Sequence, residues 1–251
     1  MKNILYVVVP CYNEEEVLPE TAQRLREKMH GLMDAGKISP SSRIMLVNDG
    51  SADRTWALIS ALHAEDPLFD GVCLSRNRGH QNAVMAGLVT AVQYADFTIT
   101  IDADLQDDIA AIDGMVDKYL AGAPIVCGVR SNRDSDSFLK RVTAQGYYGL
   151  MNLFGAKLIY NHADFRLLSR EAVERLCCYG TSDLFLRGLI TRLGLPIEKV
   201  YYARLPRMAG ESKYTVKKML QLAVKGFTCG RQKPAAAPQI GELWIGQVLH
   251  A

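Results

Sequence analysis

Short apolar runs alternate with longer amphipathic stretches over the first 130 residues. Ile4–Val9 is apolar throughout and rich in valine, the pattern of a strand buried on both faces. Asn13 then opens a predicted helix with Glu14, Glu15 and Glu16 in its first turn, where carboxylates complement the helix dipole. A second strand is predicted at Arg43–Asn48. Asp49, Gly50 and Ser51 follow it, and then a helix carrying Trp56, Leu58, Ile59 and Leu62 with Asp53 as its cap. Gly71–Ser75, Phe97–Ile101 and Ile125–Val129 read as further strands, with helices at Asn82–Tyr94 and Ile109–Leu120 between them. This alternation implies right-handed crossovers and an α/β fold with a Rossmann-like, mostly parallel sheet. Such sheets bind ligands beyond the carboxyl ends of their strands, which singles out 10–14, 49–51, 75–80 and 102–108.

After Arg130 the rhythm changes. A helical pattern at 138–154 crowds Tyr147, Tyr148, Leu150, Met151 and Phe154 together. Asp164–Leu168 reads as a short strand, 171–178 and 184–193 as helices, and 197–205 as a strand. Residues 215–227 read as a lysine-rich amphipathic helix, and from Gly230 the composition turns to Pro, Ala, Gln and Gly. The expected organisation is one domain at 1–228, divided into halves at 1–130 and 131–228, followed by an atypical tail at 229–251.

Hydrophobic residues make up 49% and charged residues 22% of the 251, so disorder, collagen and coiled coil are excluded for the whole chain. Lys and Arg number 29 against 27 acids, and a net +2 gives no basic field for nucleic acid. Six cysteines without a C-x-x-C pair argue against a zinc site or a disulfide scaffold and for reduced thiols in the cytoplasm. The apolar run before Pro10 is too short for a secretory signal, and no stretch reaches the roughly 20 apolar residues of a membrane span. The expected location is cytoplasmic, with attachment at most to a membrane surface.

Asp102-Ala-Asp104 ends an apolar strand. Residues two apart in an extended chain face the same way, so the two carboxylates converge and call for a cation between them. Hard oxygen ligands suit Mg²⁺ or Mn²⁺. The competing reading is a solvated acidic loop, since Asp107 and Asp108 follow. Tyr12, at the end of the first strand, offers a flat face to a nucleobase. Asp49 could accept from a base N–H or a ribose hydroxyl, or serve only the turn before Gly50.

Six segments occur in order: Val9-Pro-Cys-Tyr-Asn-Glu-Glu15, Val47-Asn-Asp-Gly-Ser-x-Asp-x-Thr55, Ser75-Arg-Asn-x-Gly79, Asp102-Ala-Asp-Leu-Gln-Asp107, Asp164-Phe-Arg166 and Gly210-Glu-Ser-Lys-Tyr214. Together they resemble the family 2 inverting glycosyltransferases over roughly residues 3–228. The last two segments are similar to the polyprenyl-phosphate branch, which includes dolichyl-phosphate mannose synthases and bactoprenol glucosyltransferases. The resemblance implies a GT-A fold, a nucleotide-diphosphate sugar donor and a divalent metal. By that resemblance 1–130 is the donor half and 131–228 the acceptor half with an interfacial helix. Pro10, Tyr12, Glu14, Asp49 and Asp102 would line the nucleotide pocket. Asp102, Asp104 and Gln106 would hold the metal and diphosphate, with Asp104 and Asp164 catalytic. Arg130, Arg207, Ser212 and Lys213 would meet phosphate groups.

A phosphate monoester is already largely ionised at pH 7, so it attacks without losing a proton. Asp164, which matches the acid usually assigned as base, is therefore expected to orient the acceptor or Arg166, or to stabilise a developing oxocarbenium ion. A purely structural Asp164–Arg166 pair is the alternative.

From Arg204 to Lys233 eight basic residues face only Glu211, a local charge of +7. Beside the apolar stripe of Val216, Met219, Leu220 and Phe227 this suits an anionic membrane surface, at the inner face of the cell membrane, although packing on its own domain would also use the stripe. Arg204 reads equally well as part of a solvated basic face.

Members of the branch usually continue into membrane spans, which this sequence lacks. Asp107 and Asp108 stand where mannose synthases of the branch often carry prolines, which favours UDP-glucose over GDP-mannose. The expected reaction is inverting transfer of a hexosyl group from that donor to undecaprenyl or a related polyprenyl phosphate. A GDP-mannose-dependent enzyme, a soluble saccharide transferase and an inactive nucleotide-sugar-binding remnant are the alternatives, and homo-oligomerisation stays open. A dinucleotide oxidoreductase is disfavoured, because no G-x-G-x-x-G follows the first strand.

Overall fold

The computed structural model describes residues 3–131, 162–179, 184–204 and 245–250. The helical patterns at 138–154 and 215–227, and the candidates Arg207, Ser212 and Lys213, lie outside the described residues.

In chain order the elements are β1 (Leu5–Cys11), α1 (Leu18–Asp34), β2 (Arg43–Asn48), α2 (Thr55–Glu65), β3 (Phe69–Leu74), α3 (His80–Ala91), β4 (Phe97–Thr100), α4 (Ala111–Leu120) and β5 (Ile125–Arg130). They continue with β6 (His162–Ser169), α5 (Arg170–Cys177), α6 (Leu186–Ile190), β7 (Ile197–Tyr202) and β8 (Ile245–Leu249). The eight strands form one sheet in the order β7-β5-β6-β4-β1-β2-β3-β8. β1 to β4 are mutually parallel, and β7 runs parallel to β5. β6 enters antiparallel between β4 and β5, and β8 pairs antiparallel with β3.

β1 is buried at every position because helices cover both faces of the sheet. Tyr6 and Val8 join a core with α3, α5 and α6, while Leu5, Val7 and Val9 join a second core with α1 and α4. The unbroken apolar run is the sequence form of that double burial. α3 packs against β1 and β2 so closely that a Cβ on Gly87 would stand 2.4 Å from a Val8 methyl.

Two expectations are corrected. Asn13 does not open a helix: it adopts a left-handed φ of 52°, and α1 begins only at Leu18. The intervening turn is stitched to the β2–α2 loop instead. Asn13 N–H donates to Ser51 Oγ (3.0 Å), Asn13 Oδ1 accepts from Ala52 N–H (2.9 Å), and Glu14 N–H donates to Thr55 Oγ1 (3.0 Å). These tertiary partners replace the capping bonds a helix would have offered, and the acid in the first turn of α1 is Glu20. The apolar patch in the segment read as a tail is also more than that, since Ile245–Leu249 extends the sheet as β8. Asp53 sits one residue before the helix cap at Arg54 and accepts from Thr55 N–H (3.0 Å) and Glu15 N–H (3.2 Å).

Candidate active site

The order β3-β2-β1-β4 places a topological switch point between β1 and β4, where a crevice opens beyond the strands' carboxyl ends. Because β6 is antiparallel, its beginning lies at that same edge. The register pairs Thr98 with Leu168 and Thr100 with Arg166, and just beyond the paired residues Asp102 and Asp164 come near enough to share His80. Thr100 Oγ1 donates to the Asp164 carbonyl at 2.6 Å and pins the approach.

His80, the first residue of α3, stands between the two acids. Its Nε2 lies 3.5 Å from Asp102 Oδ1 and 3.8 Å from Asp164 Oδ2. Asp164 is 8% exposed and is gripped by two arginines. Arg166, fully buried on the same strand, donates through Nη2 to Oδ1. Arg187 of α6 donates from Nε to Oδ1 (3.2 Å) and from Nη2 to Oδ2 (2.9 Å). Burial pushes the Asp164 carboxyl up, but Arg187, Arg166 and His80 outweigh it and hold the group well below the usual carboxylate range. Asp164 is therefore a fixed anion and a weak proton acceptor.

Asp102 is in the opposite state. Burial raises its carboxyl and His80 opposes this, while Asp164, Asp107 and Asp104 raise it further. One acid is saturated with cations and its neighbour is short of them. The residues present thus fit a divalent cation: hard oxygen donors in a locally negative site whose charge a cation would relieve. Among the described residues no three His, Cys, Asp or Glu side chains form a complete metal site, so those residues would supply only part of a coordination sphere. Asp104 Oδ1 accepts from Gln106 N–H at 3.2 Å, and Gln106 Oε1 accepts from Arg204.

The neighbouring edge carries the other candidates. Asp49 N–H donates to the Cys11 carbonyl (2.9 Å), tying the ends of β1 and β2 together beside Tyr12 and Glu14. Pro10 lies buried within β1, opposite Val47, and Tyr12 is 37% exposed. Asp49 is buried, and its oxygens accept from Arg78 N–H (2.7 Å) and Gly79 N–H (2.9 Å), so it shapes the 75–79 loop. Burial pushes its carboxyl up against the pull of those two donors. Gly50 has φ +63°, and a Cβ there would stand 2.4 Å from the backbone of Arg76 and Asn77. Arg130 is committed to Asp107, with Nη2 2.8 Å and Nε 3.2 Å from Oδ1.

The structure therefore gathers Tyr12, Glu14 and Asp49 at one strand edge and Asp102, Asp104, Gln106 and Asp164 at the adjoining one. His80 and Arg187 belong to the site and were not among the sequence candidates. His80 directly follows the recognised segment Ser75–Gly79 and closes the 75–80 stretch that the strand-end rule singles out.

An α/β sheet with acids across its switch point is the layout of a GT-A glycosyltransferase. A model of the family described as glycosyl transferase family 2 matches residues 6–177. The chain belongs to that family and is a glycosyltransferase. It is 48% identical over 225 residues to the uncharacterized glycosyltransferase YkoT of Bacillus subtilis (strain 168), covering 90% of this chain and 67% of that protein. It is 39% identical over 224 residues to the bactoprenol glucosyl transferase of Shigella phage SfV, covering 88% and 70%. In structure it is similar to glucosyl-3-phosphoglycerate synthase from Mycobacterium tuberculosis, solved with Mn²⁺, UDP and phosphoglyceric acid. That likeness has a TM-score of 0.59 at 16% identity over 88% of this chain and 75% of the other, and speaks to fold. Among the described residues no helix is long and apolar enough to cross a membrane.

Proposed function

We propose that this chain transfers a glucosyl group from UDP-glucose to a polyprenyl phosphate of the undecaprenyl type, with inversion at the anomeric carbon. The observation that carries the reading is the state of Asp164. An acid held far below its ordinary range by Arg187, Arg166 and His80 is poorly suited to deprotonate a hydroxyl. A phosphate monoester, largely ionised near neutral pH, has no such need. The 39% identity to a protein named bactoprenol glucosyl transferase supports the same acceptor class and the glucosyl group.

In this reading an acceptor phosphate oxygen bonds to the anomeric carbon as the bond from that carbon to the diphosphate breaks. The electron pair departs with UDP, and no proton is removed. Mg²⁺ or Mn²⁺ held by Asp102 and Asp104, with Gln106 beside them, would supply positive charge to the diphosphate. Tyr12, Glu14 and Asp49 hold the nucleoside at the β1–β2 edge. Asp164 keeps Arg166 and Arg187 aligned at the cleft and faces the developing positive charge on the sugar. Arg207, Ser212 and Lys213 belong to the acceptor-phosphate segment by motif, and the lysine-rich stretch at 215–227 suits an anionic leaflet.

The test supplies radiolabelled UDP-glucose, undecaprenyl phosphate in detergent micelles and Mn²⁺, with EDTA and GDP-mannose as comparison arms. Label is expected in the organic phase, released by mild acid and abolished by EDTA. Transfer from GDP-mannose alone would sink the donor assignment, and label entering only soluble saccharides would sink the acceptor.

A further inference from the structure

Asp107 is 1% exposed, and one of its oxygens carries three hydrogen bonds. Oδ1 accepts from Arg130 Nη2 (2.8 Å) and Nε (3.2 Å) at the end of β5, and from the Tyr202 hydroxyl (2.5 Å) at the end of β7. Oδ2 is buried with no partner among the described residues. Tyr202 is itself fixed edge-on against Phe165 of β6, with ring centroids 5.4 Å apart. Two residues before Asp107, Leu105 holds a left-handed φ of 54°, a conformation that costs a non-glycine residue energy and persists only where the surroundings impose it. On the α1 side the loop overlies a cavity of about 210 Å³ lined by Arg24, Leu105, Asp107, Asp108 and Ile109. Packing from that side is incomplete. The Thr21 hydroxyl holds the loop's start through the Ala103 carbonyl (2.7 Å), and Asp107 holds its end.

A buried ion pair with an unsatisfied oxygen is a poor device for stability alone, since an apolar replacement of similar volume is often as stable or more so. It is an effective device for holding one geometry. We propose that Asp107 is a positioning residue: through Arg130 and Tyr202 it clamps the Asp102–Gln106 loop to β5 and β7 in the shape that receives the metal and diphosphate. The clamp also orients Arg130, so one carboxylate ties the donor loop to a cation at the end of β5. Arg204, two residues after Tyr202, holds Gln106 in the same loop. The proposed consequence for catalysis rests on the transferase reading above, while the clamp itself does not.

Two measurements on the full chain separate these, using Tyr202→Phe and Asp107→Asn. Hydrogen exchange of the ligand-free protein reads the clamp. Amides of 103–108 are expected to exchange at least tenfold faster in both variants, with those of β1 and β2 unchanged. Calorimetry with UDP reads the consequence. Affinity in Mn²⁺ is expected to fall about tenfold, while affinity without metal stays within twofold, because the Tyr12–Asp49 edge is untouched. Tyr202→Phe removes a single hydroxyl and keeps the test open should Asp107→Asn fold poorly. Unchanged loop exchange in Tyr202→Phe overturns the proposal. So does faster exchange with Mn²⁺-dependent affinity intact, or a parallel loss of affinity with and without metal. If the wild-type chain binds no nucleotide while the loop exchanges faster in the variants, the clamp stands and the transferase reading fails.

Discussion

Arg187 of α6 forks onto both oxygens of Asp164 of β6, Nε to Oδ1 and Nη2 to Oδ2, from 23 positions further along the chain. The two-point contact fixes the guanidinium plane against the carboxylate. Lysine at this position would keep the charge and lose the plane. Arg187→Lys is expected to lower kcat more than tenfold with KM for the sugar nucleotide nearly unchanged, as steady-state kinetics would show. Equal loss in both parameters would place Arg187 in donor binding instead.

Asp164→Asn should act differently, through stability. Arg166 is fully buried, and its Nε and Nη1 have no partner among the described residues. Removing its counter-charge leaves a buried guanidinium unpaired, at a cost of about 3–5 kcal/mol. Urea denaturation would measure this. Arg187, 37% exposed, is expected to cost under about 1 kcal/mol when changed to Gln.

The depressed Asp164 carboxyl also sets a pH window. Its folded value lies below the ordinary 3.8, so near and below that pH the unfolded chain binds the proton first. The stabilisation is complete above the ordinary value and is lost as pH falls toward the folded one. The stability gap between wild type and Asp164→Asn should be fully present near pH 5 and shrink below about pH 4. A gap that stayed unchanged down to about pH 2 would mean that Asp164 does not contribute as the depressed carboxyl described here.

Much of this was legible in advance. β1, β2, β4 and β5 appear within two residues of the runs that announced them, because a strand buried on both faces leaves an unbroken apolar signature. The acids at their ends were legible for the same reason: charge directly after such a run is conspicuous. What local pattern does not carry is direction. Phe165, Leu167 and Leu168 report burial, and nothing in them says that β6 runs antiparallel between β4 and β5. Yet that insertion is what brings Asp164 to Asp102, and with it Arg187 and His80. Asn13 failed for a related reason. Its helix-cap chemistry was read correctly as hydrogen-bonding capacity, but the partners are Ser51 and Ala52, 38 and 39 residues away.

Gly50 gives a prediction with an internal control. Gly50 and Gly36 share a positive φ, +63° and +66°, but a Cβ on Gly36 meets nothing within 4 Å. Gly36→Ala should cost only the backbone penalty, about 1–2 kcal/mol, and leave UDP affinity alone. Gly50→Ala adds an overlap with the backbone at Arg76 and Asn77 that can be relieved only by moving the loop Asp49 holds. A larger stability loss and at least a tenfold weaker UDP affinity are expected by calorimetry. Equal behaviour of the two variants would show that the 75–79 loop does not shape the nucleotide edge.

The opposite end of the sheet should be separable from function. His250 Nδ1 lies 2.7 Å from Oδ2 of Asp70, a fully buried carboxylate at the start of β3 that also bonds the Tyr6 hydroxyl. The Tyr94 ring stacks on His250 with centroids 4.1 Å apart. Because β8 is antiparallel to β3, this anchor sits at the amino end of β3, while residues 75–79 leave its carboxyl end. His250→Ala removes one partner of a buried carboxylate and should cost about 1–3 kcal/mol in denaturant unfolding. UDP affinity in Mn²⁺ should not change. Deleting 245–251 goes further, since β3 then becomes an unpaired edge open to strand addition from another chain. Light scattering should show concentration-dependent association of the deleted form and none of His250→Ala. A loss of nucleotide affinity in the point variant would mean that strain at the β8 anchor is transmitted along β3 to the site.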